Sequence, residues 1–169
     1  ERFESICKAD NVWIVTNKSY VDIVKEQLPQ IPTDHILCEP CRRNTAPCIA
    51  YVSWKIKSKN PKANIVVAQS DQLVLEEAKL ASLISGALDF VAENNKLVVI
   101  GIKPTCPETR YGYIQAEGTP TCGSICKVRT FTEKPALEFA KVFVESGEFY
   151  WNTGIYIWNV QTIIDTLTE

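Results

Sequence analysis

The stretch NIVVAQSD, residues 64–71, decides the fold class because an apolar run here ends directly in a carboxylate, Asp71. Branched apolar residues without polar alternation are typical of a strand buried on both faces of a parallel sheet. In open α/β sheets, ligands bind outside the carboxyl ends of the strands. We therefore expect Ser70 and Asp71 to lie at a ligand site, although most carboxylates in such positions are helix caps or loop residues.

A polar loop, EPCRRNTAP at residues 39–47, follows an earlier apolar run in the same way. Thr45 is the expected N-cap of the next helix, and Pro47 lies near its first turn. Arg43 and Asn44 come just before this helix start, where the helix dipole favours an anion. The loop is thus either an ordinary helix start or a binding site for phosphate groups.

Apolar strands and amphipathic helices alternate along the first hundred residues. Strands are expected at residues 12–16, 35–38, 65–68 and 97–102. This alternation predicts an α/β, Rossmann-like fold with a mainly parallel sheet flanked by helices.

The second half of the chain departs from this alternation. Residues 113–117 and 125–132 are expected to form a small antiparallel strand pair around a connection that contains Gly118 and Gly123. Pro135 is expected to start a helix with Phe139 facing inward. A last strand is predicted at residues 154–158.

Composition limits the classes of function. The 169 residues fit a single domain, residues 1–169, and the net charge of −2 gives no electrostatic reason for nucleic acid or an anionic membrane as partner. No apolar run approaches the roughly 20 residues of a membrane span. Seven cysteines, an odd number, fit reduced thiols in the cytoplasm. The chain contains no methionine, even at position 1, so we expect it to be a fragment or a processed chain.

The cysteines allow two rival interpretations. Cys38 and Cys41 form a CxxC pair, but a thiol–disulfide site needs its first cysteine at a helix N-terminus. Cys122 and Cys126 could join them in a zinc site, although CxxxC with one distant histidine, His35, matches zinc motifs poorly.

The pair Glu133-Lys134 is predicted at a turn from strand to helix. Such pairs are usually solvated salt bridges of small energy. The lysine could equally neutralise a phosphate, and the glutamate could accept hydrogen bonds from sugar hydroxyls.

Five segments in one order resemble the mannose-1-phosphate guanylyltransferases, which belong to the sugar-phosphate nucleotidyltransferase superfamily. The resemblance covers essentially the whole chain. The segments are EPCRRNTAP at 39–47, SD at 70–71, GIKPTCPETRYGYI at 101–114, FTEKP at 131–135 and WNTGIYIW at 151–158.

The resemblance implies transfer of a guanylyl group from GTP to mannose 1-phosphate, giving GDP-mannose and pyrophosphate, with Mg²⁺ as cofactor. It implies Asp71 as the metal ligand and Asp71 and Lys134 as catalytic residues. It also implies that these three residues, Asp71, Lys134 and Asn152, converge on one cleft. The implied nucleotide-binding residues are Glu39, Arg43, Asn44, Thr45, Ala46 and Pro47, and the implied sugar-phosphate residues are Gly112, Tyr113, Glu133, Lys134 and Asn152.

The chain departs from the family pattern at three positions. Gln69 and Gln72 replace the usual proline and histidine around Ser-Asp, and Arg110 replaces the first glycine of GYGYI. The glycine-rich signature loop of the family would precede Glu1, and a second metal-binding aspartate would follow Glu169. The resemblance thus implies that the domain of residues 1–169 is incomplete at both ends, and we expect that these residues alone do not catalyse the transfer.

Other functions stay open. The chain could serve another sugar 1-phosphate or another nucleoside triphosphate, or it could be a non-catalytic sugar-nucleotide-binding module. The resemblance also allows a homodimer.

Overall fold

The structure, a computed structural model, describes residues 2–39, 41, 44–122 and 125–169, and it describes residues 119–122 by their backbone alone. The strands are β1 (Ile14–Thr16), β2 (Ile36–Cys38), β3 (Asn64–Val67), β4 (Val98–Ile102), β5 (Tyr113–Cys122), β6 (Ile125–Thr132) and β7 (Phe149–Asn159). The α-helices are α1 (Val21–Gln27), α2 (Thr45–Lys59), α3 (Glu77–Glu93), α4 (Leu137–Ser146) and α5 (Val160–Thr168).

The described residues form two compact units. Unit 1 consists of Glu1–Val66, Asp71–Leu97 and Ile157–Glu169. Unit 2 consists of Val67–Ser70 and Val98–Tyr156.

The α/β class is confirmed, but the prediction of a mainly parallel sheet is wrong. β1 and β2 pair in parallel as a separate two-stranded sheet. The main sheet has the order β3-β7-β5-β6, with β4 also paired to β7. β5 is antiparallel to both β6 and β7, so antiparallel pairing dominates this sheet.

The prediction failed because two strands of the main sheet, β5 and β7, are longer than expected. The prediction confined β7 to residues 154–158, whereas the strand has 11 residues and starts at Phe149. Its first three residues, Phe149, Tyr150 and Trp151, are aromatic and favour a strand. β5 likewise runs on to Cys122 instead of ending at residue 117, and it gains antiparallel partners along this length.

The helices of unit 1 form because their apolar residues recur at helical spacing. α3 buries Ile84, Ala87 and Val91 on one face. Ile49 and Val52 of α2 are also buried, and so are the apolar residues of α5, namely Val160, Ile163 and Ile164.

The core of unit 2 contains Tyr113, Ala140 and Phe149, with Phe143 and Trp151 packed against them. The ring of Phe143 stacks on Phe149 at a centroid distance of 4.0 Å. The prediction that Phe139 faces inward is wrong, because this side chain is 61% exposed. α4 starts at Leu137, after the N-cap Ala136, and the residue that it buries is Ala140, one position after Phe139.

We expect Ile84→Ala to lower the free energy of unfolding by about 2–5 kcal/mol, because Ile84 is fully buried and its truncation leaves a cavity. The neighbouring Leu83→Ala is the matched control, since Leu83 is 40% exposed and should cost about 1 kcal/mol or less. Urea unfolding followed by circular dichroism measures both variants. Equal losses would contradict the assigned face of α3.

Candidate functional site

Three predicted sugar-binding residues, far apart in the sequence, meet in unit 2. The backbone N–H of Asn152 donates to the carbonyl of Gly112 at 2.8 Å. A Cβ atom at Gly112 would lie 2.7 Å from Oε2 of Glu133 and 3.5 Å from Cβ of Asn152. The structure therefore brings the carboxylate of Glu133 and the side chain of Asn152 against the backbone of Gly112, where an added Cβ would force the carboxylate to move.

Lys134 follows Glu133 in the turn between β6 and α4. Its Nζ atom lies 3.6 Å from Oε1 of Glu133, and the two side chains are 63% and 71% exposed. Such an exposed pair is weak, so both groups can take up a ligand. The backbone of Lys134 has a left-handed φ of 45°, which costs a residue with a side chain about 1 kcal/mol or more.

Asn152 lies within β7, where its side chain closes a tight turn of the backbone at Gly154. Its Oδ1 atom accepts from the N–H of Gly154 at 2.9 Å, and Gly154 has a φ of 71°. The hydroxyl of Thr153 donates to the carbonyl of Ile100 on β4 at 2.6 Å and accepts from the N–H of Ile155 at 3.1 Å. These bonds fix the backbone that follows Asn152.

Tyr113 is a core residue of unit 2. It is fully buried, and its hydroxyl donates to the carbonyl of Glu108 at 2.9 Å. Its ring lies 5.4 Å from that of Phe143. Gly112 is half-buried and is the accessible member of the predicted Gly-Tyr pair, while contact of Tyr113 with the sugar stays a prediction.

The predicted nucleotide-binding loop ends at the N-terminus of α2 in unit 1. The N-cap is Asn44 and not Thr45, which is the first helical residue. Asn44 has a left-handed φ of 68°, and within the described residues its side chain makes no capping hydrogen bond. Asn44, Thr45, Ala46 and Pro47 are all exposed, so this helix start is open to solvent. Arg43 lies outside the described residues.

Glu39 lies near this helix start. Its backbone N–H donates to the carbonyl of Thr16 at 2.7 Å, which extends the pairing of β1 and β2 by one residue. Burial raises the pKa of the Cys48 thiol in the first turns of α2, and the negative charge of Glu39 raises it further. The structure therefore brings Glu39 together with the start of α2.

Asp71 is an exposed residue of unit 1, whereas Lys134 and Asn152 belong to unit 2, so their convergence on one cleft stays a prediction. Among the described residues, Asp71 makes no ion pair, and no group of three or more His, Cys, Asp or Glu side chains could hold a metal. A single free carboxylate still fits Mg²⁺, which takes one or two protein carboxylates together with substrate phosphates and water.

The nucleotidyl transferase family model matches residues 4–168. The chain belongs to the nucleotidyl transferase family. The predicted resemblance to nucleotidyltransferases is thereby confirmed.

Curated relatives carry more specific names. A mannose-1-phosphate guanylyltransferase of Escherichia coli is 39% identical over 163 residues, which cover 92% of this chain and 35% of the relative. Another, from Escherichia coli K12, is 35% identical over 178 residues, covering 98% of this chain and 37% of the relative. The xanthan biosynthesis protein XanB of Xanthomonas campestris is 37% identical over 92% of this chain and 33% of its own length. The chain thus spans about a third of the length of these relatives.

Two solved structures share the fold. A protein named mannose-1-phosphate geranyltransferase, from Thermus thermophilus, superposes with a TM-score of 0.89 at 22% identity, over 99% of this chain and 48% of that protein. A protein named mannose-6-phosphate isomerase, from Helicobacter pylori, gives a TM-score of 0.83 at 26% identity, over 99% of this chain and 62% of that protein.

Arg110, which departs from the pattern of the guanylyltransferases, is bound by Glu108. Its Nε donates to Oε1 of Glu108 at 3.1 Å, one terminal guanidinium nitrogen donates to Oε2 at 2.9 Å, and its backbone N–H donates to Oε1 at 3.0 Å. The side-chain hydrogen bonds lower the pKa of Glu108 to about 2. The charge that Arg110 adds is thus largely neutralised within its own turn.

The two glutamines that depart from the same pattern also have structural contacts. A Cβ atom at Gly154 would lie 2.7 Å from Nε2 of Gln69, so Gln69 packs against the turn that holds Asn152. The carbonyl of Gln72 accepts a hydrogen bond from the guanidinium of Arg2 at 2.5 Å.

Thr153 and Gly154 are site-forming residues that the sequence analysis of local motifs missed. The signal was present, because Asn followed two residues later by Gly is typical of a turn closed by the asparagine side chain. The prediction started a strand at Gly154 and made no use of this pattern.

The structure gives no support to the cysteine alternatives. Cys38 and Cys41 are free thiols in the described part of the chain, and α2 begins only at Thr45. His35 is buried, stacks on Trp13 at 3.9 Å and has its Nε2 3.1 Å from Nζ of Lys59. The side chain of Cys122 lies outside the described residues.

Among the described residues, no helix is both long and apolar enough to cross a membrane.

We expect the carboxyl group of Glu108 to titrate near pH 2, and Arg110→Ala to raise its pKa towards the ordinary value of 4.5. Because the folded-state pKa is lowered, the pair stabilises the fold above about pH 4.5, and this contribution disappears as the pH falls towards 2. An NMR titration of the side-chain carboxyl carbon measures both values. Lys79→Ala removes another exposed ion pair and should leave Glu108 unchanged, whereas a wild-type value near 4.5 would contradict the observed contacts.

Proposed function

We propose that this chain takes part in the transfer of a guanylyl group from GTP to mannose 1-phosphate, which gives GDP-mannose and pyrophosphate. The observation that carries the proposal is the meeting of Gly112, Glu133 and Asn152 at one point of unit 2, in a member of the nucleotidyl transferase family. The names of the relatives support the choice of sugar and base. The activity is a proposal because the chain spans about a third of their length.

The sugar phosphate is assigned to unit 2. The Glu133 carboxylate is exposed and can accept hydrogen bonds from two sugar hydroxyls, and the Asn152 amide offers one donor and one acceptor. Lys134 supplies the positive charge for the phosphate group, and its weak pairing with Glu133 leaves it available. The strained backbone of Lys134 supports this assignment, since such strain is typical of ligand sites.

The nucleotide is assigned to the loop before α2 in unit 1. The exposed first turn of a 15-residue helix offers backbone N–H groups, and the helix dipole favours an anion there. The nearby Glu39 carboxylate can accept hydrogen bonds from the N–H groups of guanine. Arg43, Asn44, Thr45, Ala46 and Pro47 complete the proposed nucleotide site.

Asp71 is the proposed Mg²⁺ ligand. When bound, the ion would neutralise charge around the reacting phosphates of GTP. The chain's own contribution to an in-line displacement at phosphorus is to position the sugar phosphate and to balance its charge through Lys134. Lys134 and Asp71 are therefore the proposed catalytic residues.

Cellular location and assembly belong to the same proposal. The cysteines whose side chains are described are free thiols, which supports a location in the cytoplasm. A homodimer rests on the resemblance alone, and sedimentation of the purified chain would test it.

We expect the purified chain to bind mannose 1-phosphate and Gly112→Ala to weaken this binding about tenfold or more. The new methyl group would displace the carboxylate of Glu133, and an unmade hydrogen bond to a charged group costs about 1.5–3 kcal/mol. Isothermal titration calorimetry measures the affinity. Gly86→Ala is the matched control, because a Cβ there meets no described atom within 4 Å.

The same titration separates the alternatives. Tighter binding of glucose 1-phosphate would favour another sugar substrate. Two results would contradict the assignment of Gly112, Glu133 and Asn152 to a sugar site. One is an affinity of Gly112→Ala equal to that of the wild type, and the other is no binding of any hexose 1-phosphate by the wild type.

We expect Mn²⁺, used as a paramagnetic substitute for Mg²⁺, to broaden NMR signals around residue 71 in the presence of GTP. Asp71→Asn should abolish this broadening, because the neutral amide loses the charge that attracts the cation. Asp89→Asn is the control, since Asp89 is an exposed carboxylate on α3 with no proposed role. Equal broadening in all three proteins would remove Asp71 from the metal site.

A further inference from the structure

The side-chain amide of Asn152 is held from both ends. Its Oδ1 accepts from the N–H of Gly154 at 2.9 Å, and its Nδ2 donates to the hydroxyl of Tyr156 at 3.2 Å. An asparagine amide has two N–H donors and two acceptor lone pairs. Within the described part of the chain, each end of the amide therefore retains one unused hydrogen-bonding position for a ligand.

The backbone conformation of Gly154 makes this contact possible. In a regular strand, residues four apart are separated by about 13 Å, so Asn152 could not hold Tyr156. Gly154 adopts a φ of 71°, a conformation that favours glycine, and bends the strand between them. Thr153 anchors the bend through its hydrogen bond to the carbonyl of Ile100.

The two partners of Asn152 have different chemical roles. The N–H of Gly154 can only donate, so it requires the oxygen of the amide at that end. The hydroxyl of Tyr156 can donate or accept, and it accepts here because the NH₂ group lies at the other end. Gly154 therefore determines which end of the amide carries the oxygen. The hydrogen bond to Tyr156 holds the NH₂ end in place, so the amide group does not rotate.

We propose that Tyr156 is a positioning residue for the sugar: its hydroxyl holds Asn152 so that the remaining Nδ2–H donates to one hydroxyl of mannose 1-phosphate. The inference rests on the proposed function. A site with a fixed donor rejects an analogue that lacks the matching hydroxyl, because the donor is then left unpaired. Tyr156 would thus contribute to the choice of sugar without touching it.

The test compares Tyr156→Phe with the wild type in the binding of mannose 1-phosphate and its monodeoxy analogues, measured by calorimetry. We expect the variant to bind mannose 1-phosphate about three- to tenfold more weakly, the effect of one hydrogen bond. For the one analogue that lacks the hydroxyl bound by Asn152, wild type and variant should bind equally. Tyr150→Phe is the matched control, since Tyr150 lies on the same strand and its ring contacts Lys103.

A merely structural role of Tyr156 predicts an equal loss of affinity for every analogue, and this result would overturn the inference. No change with any analogue would overturn it as well. Failure of the wild type to bind any hexose 1-phosphate would instead refute the proposed function, and the inference with it.

A second measurement is independent of the ligand. In the wild type, the two N–H signals of the Asn152 side chain should be distinct and have a high NMR order parameter. Tyr156→Phe should lower that order parameter, while Tyr150→Phe should not. An unchanged order parameter in Tyr156→Phe would show that the hydroxyl does not hold the amide, which overturns the inference whether or not sugar binds.

Discussion

The backbone hydrogen bond from Asn152 to Gly112 is the interaction on which the sugar-side site depends. It continues the antiparallel register of β5 and β7, in which Tyr113 pairs with Trp151. A shift of this register by one residue would turn each side chain to the opposite face of the sheet. The alignment of two long strands, fixed by the aromatic core below them, therefore decides whether Glu133 and Asn152 can serve one ligand.

Local sequence patterns predicted the elements better than their pairing. The spacing of Ile84, Ala87 and Val91 is a helical pattern that can be read from the sequence, because a helix buries one face of a continuous segment. Strand pairing depends on partners far along the chain, so nothing within residues 64–71 showed that β3 would share a sheet with β7 and not with β2. The aromatic residues at the start of β7 favour a strand, but the prediction relied on runs of aliphatic residues and did not use them.

The candidate site was predictable only as a set of residue types. The motifs located Gly112, Glu133 and Asn152, but their contacts depend on the left-handed turn at Gly154 and on a glycine that leaves room for a carboxylate. The burial of Tyr113 could not be foreseen from the motif, since an aromatic residue beside a glycine is equally typical of a binding surface and of a core. The charge of the site was likewise only partly predictable. Arg110 could be recognised as an added cation, but its neutralisation by Glu108 depends on the backbone of a tight turn that brings the two side chains together.

The left-handed backbone at Lys134 also bears on how this position can evolve. Glycine there would relieve the strain, and asparagine tolerates such a conformation better than lysine does. Under selection for stability alone, either replacement would be neutral or beneficial, because the exposed lysine side chain contributes little to the fold. The position therefore exchanges stability for charge, because the substitutions that relieve the strain, to glycine or asparagine, also remove the cation.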